Sequence, residues 1–241
     1  MAEQVKIGNI PLGEGSHIVV QTMANTNTLD IAATVAQTKR MIAAGAEMVR
    51  ITVPSMKEVE ALEQIKNQLR AEGILTPLIA DVHFNPKVAE AAAAIVEKVR
   101  VNPGNYVDKR NFKHIELSEA EYQASLANME KRALPLLDIC RKHQTALRIR
   151  INHGSLCDRI VSKYGNTPFA MAMSAIEWLD ICEKNDFDEL EICDGKNVYI
   201  AKWALLGDGY DKLLKTVFSA DVKKVSHNVK DLMRKLISEN L

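Results

Sequence analysis

The sequence has neither a net charge nor a long apolar run. Its 241 residues include 31 basic and 31 acidic side chains, so the bulk charge does not indicate binding to nucleic acid or to an anionic membrane. No apolar stretch reaches the ~18 residues that a transmembrane helix needs, and the N-terminus has no apolar signal-peptide core. We therefore expect a cytoplasmic protein without nucleic-acid or membrane partners, in which any anion site is a local cluster.

Cysteine is also scarce, and its positions follow no metal-binding or redox motif. The four cysteines are Cys140, Cys157, Cys182 and Cys193, and no two of them form a C-x-x-C pair. In a chain of this length without a signal peptide, such scattered cysteines predict reduced thiols in the cytosol. We predict no metal site within the chain.

The sequence does contain a repeated alternation of short apolar strands with helical segments, preceded by two short strands that predict a hairpin. The main strands are predicted at 17–22, 47–53, 77–84 with its loop, 98–102, 147–151 and 190–193. Such alternation is typical of βαβ units and a parallel sheet, and one (β/α)₈ barrel has roughly 250 residues. We therefore predict an α/β fold, a TIM-type (β/α) barrel that is incomplete because closure needs eight strands.

Residues 106–143 interrupt this regular spacing, and we interpret them as a helical elaboration of one βα connection. Ser118 and Glu121 have the spacing of a capping box, which predicts the start of a long amphipathic helix. Pro135 marks either a kink in that helix or a junction between two helices.

The end of the chain has a different pattern from the rest. Segments 198–206 and 209–219 are predicted to be helical, and apolar residues after Asp221 fall at helical spacing with lysines on the opposite side. The predicted domains are thus a barrel over 1–197 and a helical tail over 198–241.

Polar residues lie at the ends of four predicted strands, two apart and therefore on one face of the sheet. They are Arg50 and Thr52, Asp81 and His83, Arg100 and Asn102, and Arg148, Arg150 and Asn152. In such barrels the active site is built from the carboxyl ends of the strands. Guanidinium groups match phosphate oxygens bidentately and stay charged at any relevant pH. The pattern therefore predicts an anion site at this end of the barrel.

Each of these residues also has a purely structural interpretation. An arginine at a strand end is often a salt-bridge partner, and Asp81 has Arg50 and Arg100 as candidates on adjacent strands. A lone histidine such as His83 is more often a hydrogen-bonded loop residue than an acid, a base or a metal ligand. The run Asn-Pro-Gly-Asn after the fourth strand is compatible with a simple turn. Convergence of the side chains at one end of the barrel is what favours the functional interpretation.

A series of segments, in this order, resembles the motifs of a known enzyme family. They are Val20 to Met23 with Asn25 and Thr26, Met48 to Pro54, Ile79 to Pro86, Val99 to Asn105, Arg148 to Leu156 and Tyr164 to Pro168. By these motifs the chain resembles the 4-hydroxy-3-methylbut-2-enyl diphosphate synthase family, the reductive enzymes of non-mevalonate isoprenoid biosynthesis. The resemblance covers roughly residues 5–185.

The resemblance implies an activity and a set of partners. Enzymes of this family are iron–sulfur oxidoreductases that reductively open the ring of 2-C-methyl-D-erythritol 2,4-cyclodiphosphate, with electrons from flavodoxin or ferredoxin. The family's barrel domain holds the diphosphate, and a separate C-terminal domain brings a [4Fe-4S] cluster to the C–O bond. The family forms homodimers in which the barrel of one subunit faces the cluster domain of its partner.

The resemblance also implies roles for individual residues. The implied substrate-binding residues are Arg50, Arg100, Asn102, Arg148, Asn152, Ser155 and Lys196. The implied catalytic residues are Asp81 and His83, which would contact the erythritol portion or the neighbouring arginines. Ser155 and the backbone around Gly154 would close their turn on the anion, as glycine turns approach phosphate elsewhere.

The chain departs from the family pattern in several places. Arg150 stands where the family commonly has glycine, and it either adds to the anion site or crowds it. After residue 187 only a loose resemblance is left, and the sequence leaves open whether Lys196 replaces the family's lysine. Two further strands and the cluster domain, with its cysteine ligands, are expected to be absent from this chain.

Three functions of different classes are compatible with these observations. The first is the reductive enzyme of the family, or its barrel part. The second is a non-catalytic diphosphate-binding protein derived from it, and the third is a truncated or recombined scaffold with a helical tail. We expect the chain to keep part or all of the diphosphate-binding face but to have no reductase activity alone.

Overall fold

The computed structural model describes residues 4–13, 16–83, 85–107, 116–187, 190–193 and 198–201. In these ranges the strands are β1 (Gln4–Ile7), β2 (Ile10–Gly13), β3 (Gln21–Met23), β4 (Met48–Thr52), β5 (Leu78–Asp81), β6 (Lys98–Val101), β7 (Ala146–Arg150), β8 (Leu190–Cys193) and β9 (Val198–Ala201). The helices are α1 (Ile31–Ala43), α2 (Met56–Ala71), α3 (Pro86–Ala93), α4 (Pro103–Tyr106), α5 (Glu119–His143), α6 (Asp158–Tyr164) and α7 (Pro168–Lys184), and a 3-10 turn covers His153–Ser155.

The main sheet follows the order of the chain. Its strands are hydrogen-bonded in the order β3-β4-β5-β6-β7-β8-β9. Every pair from β3 to β8 is parallel, and β9 is antiparallel to β8. Consecutive parallel strands joined by helices, without a reversal of strand order, are typical of a (β/α) barrel and not of a doubly wound sheet. The predicted α/β barrel class is therefore confirmed. In the described residues β3 and β9 are the two edges, so this part of the barrel is open.

The predicted N-terminal hairpin is confirmed, and it packs on the amino-terminal end of the main sheet. β1 and β2 pair antiparallel. The side chains of Val5 and Ile7 are fully buried in a cluster with Met48, Ile79 and Ala146, which lie at or near the starts of β4, β5 and β7. The hairpin therefore lies at the opposite end of the barrel from the strand-end arginines.

The first strand of the main sheet is shorter and less buried than predicted. β3 begins at Gln21 and not at His17, and Ile18 and Val20 are 79% and 53% exposed. Among the described residues β3 pairs with β4 alone, so no described neighbour covers its other edge. The prediction of a buried strand over 17–22 is therefore wrong in both extent and burial.

The structure also corrects the helix predicted from residue 198. Val198–Ala201 is a strand that pairs antiparallel with β8. Its sequence, Val-Tyr-Ile-Ala, is rich in β-branched and aromatic residues, which favour a strand where a neighbouring strand is available for pairing. The rest of the predicted helical tail, 202–241, lies outside the described residues, and the division into two domains stays a prediction.

Two helices begin at capping boxes, and the box predicted at Ser118 and Glu121 is one of them. Ser55 and Glu58 form one at the start of α2, and Ser118 and Glu121 form the other at the start of α5. Each box satisfies N–H groups that the first turn of a helix leaves without partners. α5 then continues as one helix through Pro135, so this proline is not a junction between two helices. In the described part of the chain, every helix is too short or too polar to cross a lipid bilayer.

A buried ionic cluster joins α5 to α6 and α7. Arg159 of α6 forms a bidentate ion pair with Glu177 of α7, with N···O distances of 2.7 and 2.9 Å. The hydroxyl of Tyr122, on α5, donates to the same carboxylate at 2.5 Å. Burial and the hydrogen bond to Glu177 raise the pKa of Tyr122, so the hydroxyl keeps its proton. All three side chains are buried, so the carboxylate depends on these donors in place of water.

Removing the Tyr122 hydroxyl is expected to destabilise the fold. Tyr122→Phe takes a donor from a buried carboxylate, and a hydrogen bond to a charged group contributes about 1.5–3 kcal/mol to stability. Tyr106→Phe is the matched control, because Tyr106 is equally buried but its hydroxyl has no hydrogen-bond partner among the described residues. Urea unfolding of the two variants measures the difference in unfolding free energy. Equal losses of unfolding free energy in the two variants would contradict a stabilising role for the cluster.

Candidate anion-binding site

The strand register places charged residues in one row across the main sheet. Asp81 pairs with Arg100, Arg100 with Arg148, and Arg148 with Glu191. Residues paired in this way lie on the same face of a parallel sheet. Asp81, Arg100 and Arg148 also lie at or near the carboxyl ends of their strands. The fold thereby brings together predicted site residues that are far apart in the sequence.

Asp81, at one end of this row, is surrounded by basic side chains. Its Oδ1 accepts a hydrogen bond from Nη1 of Arg100 and lies 3.0 Å from Nε2 of His83. Its Oδ2 lies 3.5 Å from Nε of Arg50. The Asp81 side chain is only 3% exposed, so two arginines and a histidine surround a carboxylate that water hardly reaches. The ion pairs that the structural interpretation predicts for Asp81 are therefore present.

The groups around Asp81 keep it ionised. Burial by itself raises the pKa of Asp81, but the hydrogen bond with His83 and the charge of Arg100 outweigh burial and lower the pKa to about 2. At neutral pH Asp81 is therefore an acceptor that orients its neighbours, and not a proton donor. The catalytic role implied for Asp81 and His83 stays a prediction.

Arg100 has donor capacity that Asp81 does not use, and the Nε of Arg50 lies near Asp81 without forming a hydrogen bond to it. The Nε atoms of both arginines are buried and have no hydrogen-bond partner among the described residues. The amide oxygen of Asn102 is also buried and has no hydrogen-bond partner among the described residues. Buried polar groups in native proteins are nearly always hydrogen-bonded, to protein or to water. These atoms are therefore positions where a ligand or an ordered water is expected to bind.

Arg148 and Arg150 extend the positive charge along β7. Both side chains are half-buried, and Arg148 has a partner within the protein. Burial lowers the pKa of Arg100, Asp81 opposes this effect, and the charges of Arg150 and Arg50 lower the pKa further. Arg50 and Arg150 are therefore close enough to repel Arg100, and they add positive charge on either side of the row.

The loops after β6 and β7 meet at Gly104. A β-carbon on Gly104 would lie 1.6 Å from the carbonyl oxygen of Ser155, so a residue with a side chain does not fit there without a shift of the backbone. The Ser155 hydroxyl donates to the carbonyl oxygen of Asn152 at 3.3 Å, and Ser155 is buried. The predicted donors Asn152 and Ser155 are thereby held against the loop that carries Asn102.

Sequence reasoning missed two contacts of this site. One is Gly104, since the sequence pointed to Gly154, which is exposed. The other is Met23 at the end of β3, whose Sδ lies 3.1 Å from Nη2 of Arg50. The position of Met23 at a strand end, next to the strand of Arg50, is the signal that indicates this contact. Lys196 lies outside the described residues, so its role in substrate binding stays a prediction.

The three cysteines whose side chains the structure describes do not fit an iron–sulfur site. Cys140 lies in α5, Cys157 directly before α6 and Cys182 in α7, and all three are buried thiols. Burial raises the pKa of Cys140 to about 12, which opposes the thiolate form that binds metals. Within the described ranges, no group of three or more His, Cys, Asp or Glu residues could hold a metal ion.

A parallel barrel with arginines gathered at its strand ends belongs to a class of domains suited to phosphorylated ligands. Comparison with known families narrows this class. A sequence profile described as the GcpE TIM-barrel domain matches residues 2–201, and the chain belongs to this family.

Relatives of this chain include 4-hydroxy-3-methylbut-2-en-1-yl diphosphate synthases, which confirms the resemblance seen in the motifs. The 4-hydroxy-3-methylbut-2-en-1-yl diphosphate synthase (flavodoxin) of Parabacteroides distasonis is 50% identical over 188 residues, or 78% of this chain and 31% of that protein. The chloroplastic enzyme (ferredoxin) of Oryza sativa subsp. japonica is 46% identical over 184 residues, or 76% of this chain and 25% of that protein. The chain thus spans less than a third of the length of these relatives.

Solved structures give a more distant likeness. The phospho-2-dehydro-3-deoxyheptonate aldolase of Thermotoga maritima aligns with a TM-score of 0.45 at 9% identity, covering 79% of this chain and 44% of that one. A dihydropteroate synthase of Xanthomonas albilineans aligns with a TM-score of 0.34 at 15% identity, covering 80% of this chain and 92% of that one. Likeness at this level carries no argument about function.

Proposed function

We propose that the strand-end cluster binds the diphosphate group of a small-molecule substrate. The observation that carries this proposal is the gathering of Arg50 and Arg100 around Asp81, with Arg148 next to Arg100 in the register. Guanidinium groups bind phosphate oxygens bidentately. The buried Nε of Arg100 is left over after that arginine's contact with Asp81, and it supports binding of an anion at this place.

Membership of the family supports 2-C-methyl-D-erythritol 2,4-cyclodiphosphate as the ligand. The proposed contacts to it are from Arg50, Arg100, Asn102, Arg148, Asn152, Ser155 and Lys196. Asp81 and His83 would lie beside the arginines and the erythritol portion. In this proposal the barrel binds and orients the substrate for reductive ring opening to 4-hydroxy-3-methylbut-2-enyl diphosphate.

The reducing equivalents are proposed to come from outside the described residues. The names of the relatives include flavodoxin or ferredoxin, which supports one of these proteins as the electron donor. Because the described thiols do not fit a cluster, we propose that this chain supplies the substrate-binding half of the site. A homodimer is also proposed from the family resemblance, but a second copy of this chain would bring the same described thiols, so the redox half has to come from a separate cluster-binding domain.

Binding of the cyclodiphosphate to the purified 241-residue chain is expected in titration calorimetry. Arg148→Met is expected to weaken it roughly tenfold or more, because a hydrogen bond to a charged group contributes about 1.5–3 kcal/mol. Arg40→Met is the matched control, since Arg40 is exposed and lies in the last turn of α1, away from the strand ends. No binding heat at high micromolar ligand, with folded protein, would refute the proposed function.

Two further measurements distinguish the other functions that the sequence leaves open. Reductive turnover by the chain alone, with dithionite or reduced flavodoxin, would contradict the division of the site into two halves. A ligand that binds only the folded state raises the midpoint of thermal unfolding. A diphosphate-binding protein is expected to show this shift, and a scaffold without a ligand is not.

A further inference from the structure

Arg150 is a charged residue for which the described fold provides no counter-ion. It is the last residue of β7, and its side chain is half-buried. Among the residues that the structure describes, none forms an ion pair or a hydrogen bond with Arg150. Its register partner on β8 is Cys193, which is not an acidic residue. Among the described residues, no acidic side chain therefore neutralises the charge of Arg150 at the carboxyl end of β7.

The position of Arg150 is one layer closer to the carboxyl end of the barrel than that of Arg148. Two residues along a strand advance about 6.6 Å and keep the side chain on the same face. Arg148 lies beside Arg100 in the register, and the charge of Arg150 acts on Arg100. The three guanidinium groups thus belong to one positively charged region, with Arg100 deepest and Arg150 nearest the carboxyl end.

We propose that Arg150 is a further anion-binding residue that makes this site prefer ligands with two phosphate groups over ligands with one. One phosphate group is bound at the depth of Arg100 and Arg148. A second phosphate group extends along the barrel towards the carboxyl ends of the strands, where Arg150 stands. The inference rests on the proposed function, because it requires that this row binds phosphate.

Calorimetry of the full chain with inorganic pyrophosphate and with orthophosphate tests this assignment. Arg150→Met is expected to lower the pyrophosphate affinity roughly tenfold or more and to leave the orthophosphate affinity nearly unchanged. Arg150→Lys keeps the charge but loses the planar fork, so it is expected to recover part of the pyrophosphate affinity. Arg40→Met again controls for the loss of one positive charge elsewhere on the protein.

The possible failures are distinguishable. If Arg150→Met binds pyrophosphate as well as the unaltered chain, or more tightly, the inference is overturned while the anion site stands. A parallel loss of affinity for both anions would overturn the preference for two phosphate groups. If the unaltered, folded chain binds neither anion, the proposed function fails, and the inference fails with it.

Thermal unfolding shows whether each variant folds. If neither Arg150→Met nor Arg150→Lys folds, Arg150 has a structural role and the inference is overturned.

Discussion

Asp81→Asn is expected to lower the free energy of unfolding by about 3–5 kcal/mol, the loss seen when one partner of a buried ion pair is removed. The reason is Arg100, whose side chain is 3% exposed and whose charge would lose its carboxylate partner. Asparagine has nearly the same shape and keeps one acceptor oxygen. The loss therefore reports the missing charge and not a packing defect, and urea unfolding at neutral pH measures it.

Asp138→Asn is the matched control for this variant. The Asp138 side chain is 67% exposed and pairs with Arg141 on the surface of α5, where an ion pair contributes at most about 1 kcal/mol. If Asp81→Asn is no less stable than Asp138→Asn, Asp81 is not the counter-ion on which Arg100 depends.

The same carboxylate contributes to the way stability falls in acid. The pKa of Asp81 is about 2 in the folded chain and about 3.9 in an unfolded chain, so the unfolded state takes up a proton first as the pH falls. The stabilisation from Asp81 is therefore complete above about pH 4 and is lost as the pH falls through the folded pKa. Between these limits, Asp81→Asn is expected to lose stability less steeply than the unaltered protein.

Gly104→Ala is expected to separate the loops that carry Asn102 and Ser155. The added methyl group would lie 1.6 Å from the carbonyl oxygen of Ser155 and 2.9 Å from the backbone nitrogen of Cys157. Neither atom can rotate away as the end of a side chain can. Overpacking typically costs about 1–3 kcal/mol, and we expect a loss at the upper end of this range because the backbone must move. Anion affinity is expected to fall as well, because Asn152 moves with the turn.

Gly154→Ala adds the same methyl group to the neighbouring turn and is the matched control. The nearest atom there is Oδ1 of Asn152, 3.3 Å away, on a side chain that is able to shift. Unfolding free energy and pyrophosphate affinity, compared between the two variants, isolate the contact between the loops. Equal values for both variants would show that neither stability nor pyrophosphate affinity depends on the close approach at Gly104.

The strands that sequence predicted well are those with neighbours on both sides. β4 to β7 each combine apolar residues with a polar end, and pairing on both edges keeps them in place. β3 was predicted too long because an edge strand is covered on one side only among the described residues. Val198–Ala201 was predicted as helix because a short apolar run fits either structure, and the pairing with β8 decides between them.

The candidate site was predictable as far as it depends on strand ends. Arg50, Arg100 and Arg148 follow from their positions, and the pairing of Asp81 was one of two alternatives that the sequence allowed. The contact of Gly104 with Ser155 was not predictable, because it depends on how two loops pack after their strands have been placed. The conformation of one loop alone does not determine how it packs against the other loop.

The N-terminal hairpin has a consequence for the order of folding. Val5 and Ile7 pack with Met48, Ile79 and Ala146, so their burial depends on residues much further along the chain. Contacts between such distant residues require loop closure before they contribute stability, and they slow folding. In a chain made from its N-terminus, the hairpin is therefore synthesised early but completes its packing only after β7 has joined the sheet.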